Sequence, residues 1–332
     1  MAIQWPDESI FEPFTIFEEL YKTVSDHEIK AAILIPKNLS PGLHPVVFNI
    51  HGGFLMTAHS LFAPFFAPWA LDLARENSAI IISPDYRLLP SQNGIADQLE
   101  DLEDFWQWSH SKLPEVLERN AHGHSLDFTR LLMVGGSAGG YCAVQLALSH
   151  PDDITALAMS YPLLDLKDDI FVNGPAPGQP NVLRVAAEQI PSKEDTVAWI
   201  EEKRTTVTTK DGFERISFCV GSCQHGLFAS KVLDNRNLHR PEFFPLDRIK
   251  AGAKLPKKVW IMHGDDDSVV YIRGTQKFAN LLKEKLPETT LRFDIAQGED
   301  HAFDFEAPRW KSFAQSALDF TLKAWLDPGS KG

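Results

Sequence analysis

An α/β fold with a mostly parallel sheet is predicted by two observations. Eight short apolar or β-branched runs, bounded by turn residues, are interleaved with segments of helical apolar spacing. Several of the runs are apolar throughout instead of alternating, as in strands buried on both faces. The chain's 332 residues and 44 % hydrophobic content suffice for one large domain with a sizeable core.

Each element follows in order. Residues 15–24 and 28–35 alternate and are joined by Ser25, Asp26 and His27, which reads as an antiparallel hairpin at a sheet edge. Residues 45–50 (PVVFNI), 79–83, 131–134, 156–160 and 259–262 read as buried strands, and 291–295 closes the set at eight. Helical spacing covers 95–117, with Leu99, Leu102, Phe105 and Trp106 on one face, and then 138–148, 275–286 and 310–326. Helices between parallel strands must lie on both faces of the sheet. From 161 to 258 no buried strand is apparent. A Pro/Gly-rich stretch at 173–180, helical patterns at 181–189 and 193–203, and a mixed aromatic segment at 213–244 read as an inserted helical subdomain.

The formal charge of −13 argues against a nucleic-acid partner, because phosphates repel it. No run of about 18 apolar residues suggests a membrane span, and the N-terminus lacks the basic and apolar regions of a secretory signal. A cytoplasmic location is expected. Cys142, Cys219 and Cys223 do not make a disulfide framework, and Cys219, Cys223 and His225 lack a fourth ligand, so no metal is expected. The 22 Phe and 8 Trp against 5 Tyr imply either a heavy core or an apolar pocket.

Three motifs sit at the ends of expected strands, where ligands bind in parallel sheets. In Gly135-Gly136-Ser137-Ala138-Gly139-Gly140, a serine flanked by glycine at −2 and +2 fits a sharp strand-to-helix turn. That turn would present the Ser137 hydroxyl as a nucleophile at a helix N-terminus. In His51-Gly52-Gly53-Phe54, consecutive glycines let backbone N–H groups turn toward a substrate oxygen, as an oxyanion hole requires. Downstream, His263-Gly264-Asp265-Asp266-Asp267 follows one strand, and Asp300-His301 follows the last. The order Ser, Asp, His is that of a triad in which His301 moves the proton and an aspartate orients it. Asp267 is favoured over Asp265 and Asp266 as that acid.

Taken jointly, HGGF, DYRLLP at 85–90, GGSAGG, HGDDDSVV and GEDHAF resemble the hormone-sensitive-lipase-like branch of the α/β-hydrolases. The resemblance spans most of the chain. It implies an eight-stranded α/β-hydrolase domain over 1–332; an insertion at about 166–256, which matches no family motif, is expected to form a helical cap together with residues 1–20. It also implies that Asp267 is the triad acid, that Gly53, Phe54 and Ala138 donate to the oxyanion beside Gly52, and that Tyr86-Arg87-Leu88 is structural. The chain departs from the family in having Phe54 where a third glycine is usual.

The implied activity is hydrolysis of a small apolar ester or lactone, without a cofactor, by an enzyme that could be a homodimer. A biosynthetic thioesterase or acyltransferase of secondary metabolism, acting on a polyketide-like acyl group, is the main alternative. A non-catalytic receptor is disfavoured because the triad histidine is kept. Phe62, Phe65, Phe66 and Trp69, after the oxyanion loop, are candidates for an acyl pocket, with core packing as the competing role.

Overall fold

A computed structural model describes residues 5–305 and 307–327. Its strands are β1 (Phe14–Val24), β2 (His27–Pro36), β3 (Gly42–Ile50), β4 (Ile80–Pro84), β5 (His124–Gly136), β6 (Ala156–Ser160), β7 (Lys258–Gly264) and β8 (Thr290–Ala296). They form one eight-stranded sheet in the order β1-β2-β4-β3-β5-β6-β7-β8. β2 pairs antiparallel with both β1 and β4, and every pair from β4 to β8 is parallel. The sheet is that of an α/β-hydrolase.

The first hairpin turns on Ser25 and Asp26, both with positive φ (46° and 65°). Two left-handed residues match the twist of the flanking strands, so His27 belongs to β2 and not to the turn. β5 begins seven residues before the apolar run at 131–134, because 124–127 pair with 42–45 of β3 ahead of a register shift. That stretch is only half-buried, so it carries no apolar run to read.

The long helix expected at 95–117 is two helices, Ile95–Ser111 and Leu113–Asn120, and Pro114 opens the second. A helix at Pro68–Glu76 is additional to the sequence reading. The helix after Ser137, Ala138–Ser149, is buried along nearly its whole length, which explains its small apolar composition. Two buried clusters, one on each face of the sheet, make up the core.

Between β6 and β7 the described residues contain no strand. Helices Lys193–Lys203 and Ile216–Gln224 lie there. The pattern at 181–189 gives only two short 3-10 turns, because Leu183 and Arg184 take positive φ (66° and 51°). Residues 14–20 lie in β1, so of the 1–20 segment expected in a cap only 5–13 stand outside the sheet, and 1–4 fall outside the described residues. Among the described residues no helix is long and apolar enough to cross a membrane.

Candidate active site

β5 ends at Gly136 and the next helix begins at Ala138, so Ser137 carries the whole reversal at φ 54°, ψ −124°. A serine in that region is strained, and such strain persists only where its surroundings enforce it. Here they do. A Cβ on Gly135 would lie 2.3 Å from the Gly139 carbonyl, and one on Gly139 would lie 2.1 Å from the carbonyl of Ile50. Both glycines flanking the serine at −2 and +2 are therefore obligatory. Gly136 is not, since a Cβ there meets nothing closer than 3.6 Å. The Ser137 N–H donates to the Ser160 carbonyl at 2.9 Å, which ties the turn to the end of β6.

The loop after β3 stacks directly on this turn. A Cβ on Gly52 would sit 3.0 Å from the Gly136 carbonyl and 3.6 Å from Ser137 Cβ. Gly53, Phe54 and Leu55 have φ of 103°, 56° and 64°, so three successive residues are left-handed. At Gly53 a side chain would strike the Thr57 carbonyl at 2.3 Å. Leu55 anchors the loop, as its carbonyl accepts from Leu89 N–H and Gln98 Nε2, both at 2.8 Å. Among the described residues the backbone N–H groups of Gly53, Phe54 and Ala138 have no hydrogen-bond acceptor in the protein. Phe54 in place of a third glycine keeps its N–H and tolerates the positive φ.

His51 lies beneath the loop, stacked on Tyr86 with centroids 4.1 Å apart and rings within 4° of parallel. Tyr86 Oη donates to the His51 carbonyl at 2.6 Å. Burial pulls the His51 imidazole down to about 3, so it stays neutral. The neighbouring Arg87 is buried against Asp101 and Asp97. The Tyr86-Arg87 segment thus props the loop from below.

The three adjacent aspartates have three different fates. Asp265 accepts from the Gly298 N–H at 2.6 Å and fixes a turn. Asp266 is exposed and pairs with Arg184 at 2.9 Å. Asp267 is buried, with Oδ2 2.8 Å from His301 Nδ1 and Oδ1 accepting N–H bonds from Val269 and Val270, both at 2.8 Å. His263 Nε2 lies 3.2 Å from the same Oδ2 and 2.7 Å from the Val270 carbonyl. A carbonyl can only accept, so that nitrogen carries the hydrogen. Burial pushes the Asp267 carboxyl up, but the His301 and His263 imidazoles outweigh it and hold the group well below the usual carboxylate range. His263 is a partner that the spacing of Ser, Asp and His did not reveal.

Behind His301 sits a second buried carboxylate, Asp304. It accepts from Trp69 Nε1 at 2.8 Å, Ser160 Oγ at 2.9 Å and Tyr161 Oη at 2.6 Å. Burial raises its pKa despite these three donors. The Tyr161 ring lies against the His301 imidazole, centroids 4.2 Å apart.

Ser137, His301, Gly52, Gly53 and Phe54 line one cavity of about 140 Å³, and Asp267 and Ala138 sit behind its wall. Of the four aromatic candidates only Phe65 reaches the cavity. Phe62 packs behind it, 5.1 Å from the rings of both Phe65 and Phe213. Phe66 and Trp69 belong to the core, where Phe66 meets Phe11 at 5.2 Å and Trp69 meets Trp260 at 5.5 Å. Trp69 turns inward on the helix Pro68–Glu76, and Phe66 does so where it closes the preceding 3-10 turn Ala63–Phe65. The remaining wall comes from Trp5, Tyr161, Leu183, Phe213 and Phe305, together with Gly136, Ile216, Val269 and Ala302.

Comparison with known proteins agrees with this architecture. Residues 47–190 match a family model described as the alpha/beta hydrolase fold. The chain is 29 % identical over 334 residues to probable carboxylesterase M8 of Phoma sp. (strain ATCC 20986 / MF5453), covering 97 % of this chain and all of that one. It is 33 % identical over 201 residues to probable carboxylesterase clz11 of Cochliobolus lunatus, covering 58 % of this chain and 87 % of that one. An inhibited esterase B from Lactobacillus rhamnosis superposes with a TM-score of 0.62 at 17 % identity, over 94 % of this chain and 88 % of that one, and so shares the fold. The chain therefore belongs to the hormone-sensitive-lipase-like esterase family of the α/β-hydrolase fold, and is a carboxylesterase-like hydrolase.

Proposed function

We propose that the chain hydrolyses a carboxylic ester or lactone through an acyl-enzyme on Ser137. The observation that carries this reading is one cavity in which a strained serine, a histidine bonded to a buried aspartate, and unpaired backbone N–H groups converge. Ser137 Oγ attacks the ester carbonyl carbon while His301 takes its proton. Asp267 holds the Nδ1–H of His301 and stabilises the imidazolium. Negative charge on the carbonyl oxygen is met by the N–H groups of Gly53, Phe54 and Ala138, with Gly52 seating the loop against the serine. Such preorganised donors are each worth roughly 3–4 kcal/mol in a comparable hole. The intermediate collapses, and His301 returns the proton to the departing alkoxide. Water then attacks the acyl-enzyme with His301 as base, freeing the acid and Ser137.

The segment at about 166–256, with residues 5–13, would act as the cap over this site. Phe213 and Ile216 from the insertion, and Trp5 from the N-terminal stretch, support that role by lining the cavity.

The test is direct. Ser137→Ala should lower hydrolysis of p-nitrophenyl acetate by roughly 10³-fold or more and abolish labelling by a fluorophosphonate probe. Wild-type turnover by that variant would sink the mechanism. Binding of a tight ligand without any ester turnover by the wild type would favour the receptor reading instead. Turnover of an acyl-carrier thioester alone would favour the thioesterase one.

A further inference from the structure

We propose that this site selects neutral esters that carry an aromatic ring next to the scissile group, seated in a cage of Trp5, Phe65, Phe213 and Phe305. The inference rests on the serine-hydrolase reading above and adds the substrate class. Four separate chain segments deliver these rings to one wall of the cavity. The Trp5 ring lies 5.6 Å from Phe65, 6.1 Å from Phe213 and 5.8 Å from Phe305, and Phe65 lies 5.6 Å from Phe213. Every pair is tilted or edge-to-face, the geometry in which aromatic quadrupoles attract. A further planar ring can extend that arrangement, whereas a saturated ring of the same size gains only burial.

Three other observations narrow the ligand. First, among the described residues the wall has no Lys, Arg, Asp or Glu. Apart from His301 the ionisable side chain among its described residues is Tyr161, whose hydroxyl is committed to Asp304. A charged substituent would therefore find no partner among these described side chains, which favours a neutral ligand. Second, a volume of about 140 Å³ is close to the roughly 150 Å³ apolar cavity that accepts one benzene molecule. Third, Trp5 and Phe213 remain 40 % and 46 % exposed, two of five large apolar side chains so exposed among the described residues. Apolar rings left in water at the rim of an apolar cavity mark a ligand surface.

The experiment compares ring isosteres on either side of the ester: ethyl phenylacetate with ethyl cyclohexylacetate, and benzyl acetate with cyclohexylmethyl acetate. Acid release gives kcat/KM for the wild type, Phe213→Leu, Phe65→Leu and Ser137→Ala. Leucine keeps the apolar character and removes the ring. The expected result is a preference of about tenfold for the aromatic member of at least one pair, since one or two ring contacts supply that much. Both Leu variants should reduce that ratio to within about twofold of unity. Equal kcat/KM within both pairs, or a preference that both Leu variants keep, would overturn the inference and leave the serine mechanism standing. Hydrolysis that survives Ser137→Ala would instead overturn the mechanism beneath it.

Discussion

On the floor of the cavity the helix after Ser137 passes so close to β3 that a single methyl on Gly139 would lie 2.1 Å from a backbone carbonyl. In the roof, Phe213 is nearly half exposed and packs on the rings of Trp5, Phe62 and Phe65. The floor positions backbone groups to tenths of an ångström, and only particular residues fit. The roof offers apolar rings from scattered segments, and many residues would fill the same space. Geometry for chemistry and shape for selection are thus supplied by parts of the chain under very different constraint.

The sharpest way to break this contrast is Gly139→Ala. Its Cβ meets backbone atoms of Ile50 and His51, which have no flexible end to yield. The expected cost is about 3 kcal/mol or more in denaturant unfolding, with loss of esterase activity as the Gly52-Gly53 loop shifts. Gly136→Ala, one residue before the serine, should cost less than about 1 kcal/mol because its Cβ finds ordinary contacts. Equal costs for the two variants would show that the floor is not sterically locked as described.

Next in size is Asp304→Ala. It leaves Trp69 Nε1, Ser160 Oγ and Tyr161 Oη without their shared acceptor in the core. Destabilisation of about 3 kcal/mol is expected from the orphaned donors, together with a fall in kcat, since the Tyr161 ring supports His301. Unchanged stability and unchanged kcat would make Asp304 irrelevant to the floor.

A smaller effect separates floor from roof by pH. His51 is held near 3 in the fold by burial, against an ordinary value of 6.5. Between those values the unfolded chain binds the extra proton, so stability rises with pH in that window and falls as the solution is acidified. The contribution is at most about 1.4 kcal/mol per pH unit. His51→Asn should therefore show a shallower loss of urea stability between pH 6.5 and 4.5 than the wild type. Parallel slopes would mean that His51 is not the buried neutral group described here. Least is expected of Phe213→Leu, a roof change that should alter unfolding free energy by under about 1 kcal/mol. A larger loss would make the roof as structurally demanding as the floor.

Legibility followed the same division. The Ser137 turn was readable because a strained strand-to-helix reversal needs glycine at 135 and 139, and glycine is visible in sequence. Asp267 stood out from Asp265 and Asp266 through a family pattern, and its burial beside both His301 and His263 became visible only in three dimensions. His263 lies in the same motif, yet nothing local marks it as a second partner of the carboxylate. The aromatic run after the loop at 51–54 divides between cavity and core for a clear reason. Phe65 and Phe66 are neighbours in sequence, but one faces the cavity and the other the core. Which ring faces which way depends on the 3-10 turn Ala63–Phe65, which Phe66 closes with its N–H to the Ala63 carbonyl, and on what packs against it.

Legible from residue order are the alternation of buried strands and helices, the glycines of the elbow and of the loop after β3, and the succession of Ser137, Asp267 and His301. Each of these depends on residue type at a fixed spacing, because backbone conformation and pairing are local. Tertiary structure alone decided that Trp5, Phe65, Phe213 and Phe305 share a wall, that Asp304 lies behind His301, and that Phe66 and Trp69 turn away from the site. Those outcomes depend on contacts between segments up to 300 residues apart, as for Trp5 and Phe305. Apolar burial is indifferent to which segments meet, so no local pattern encodes them.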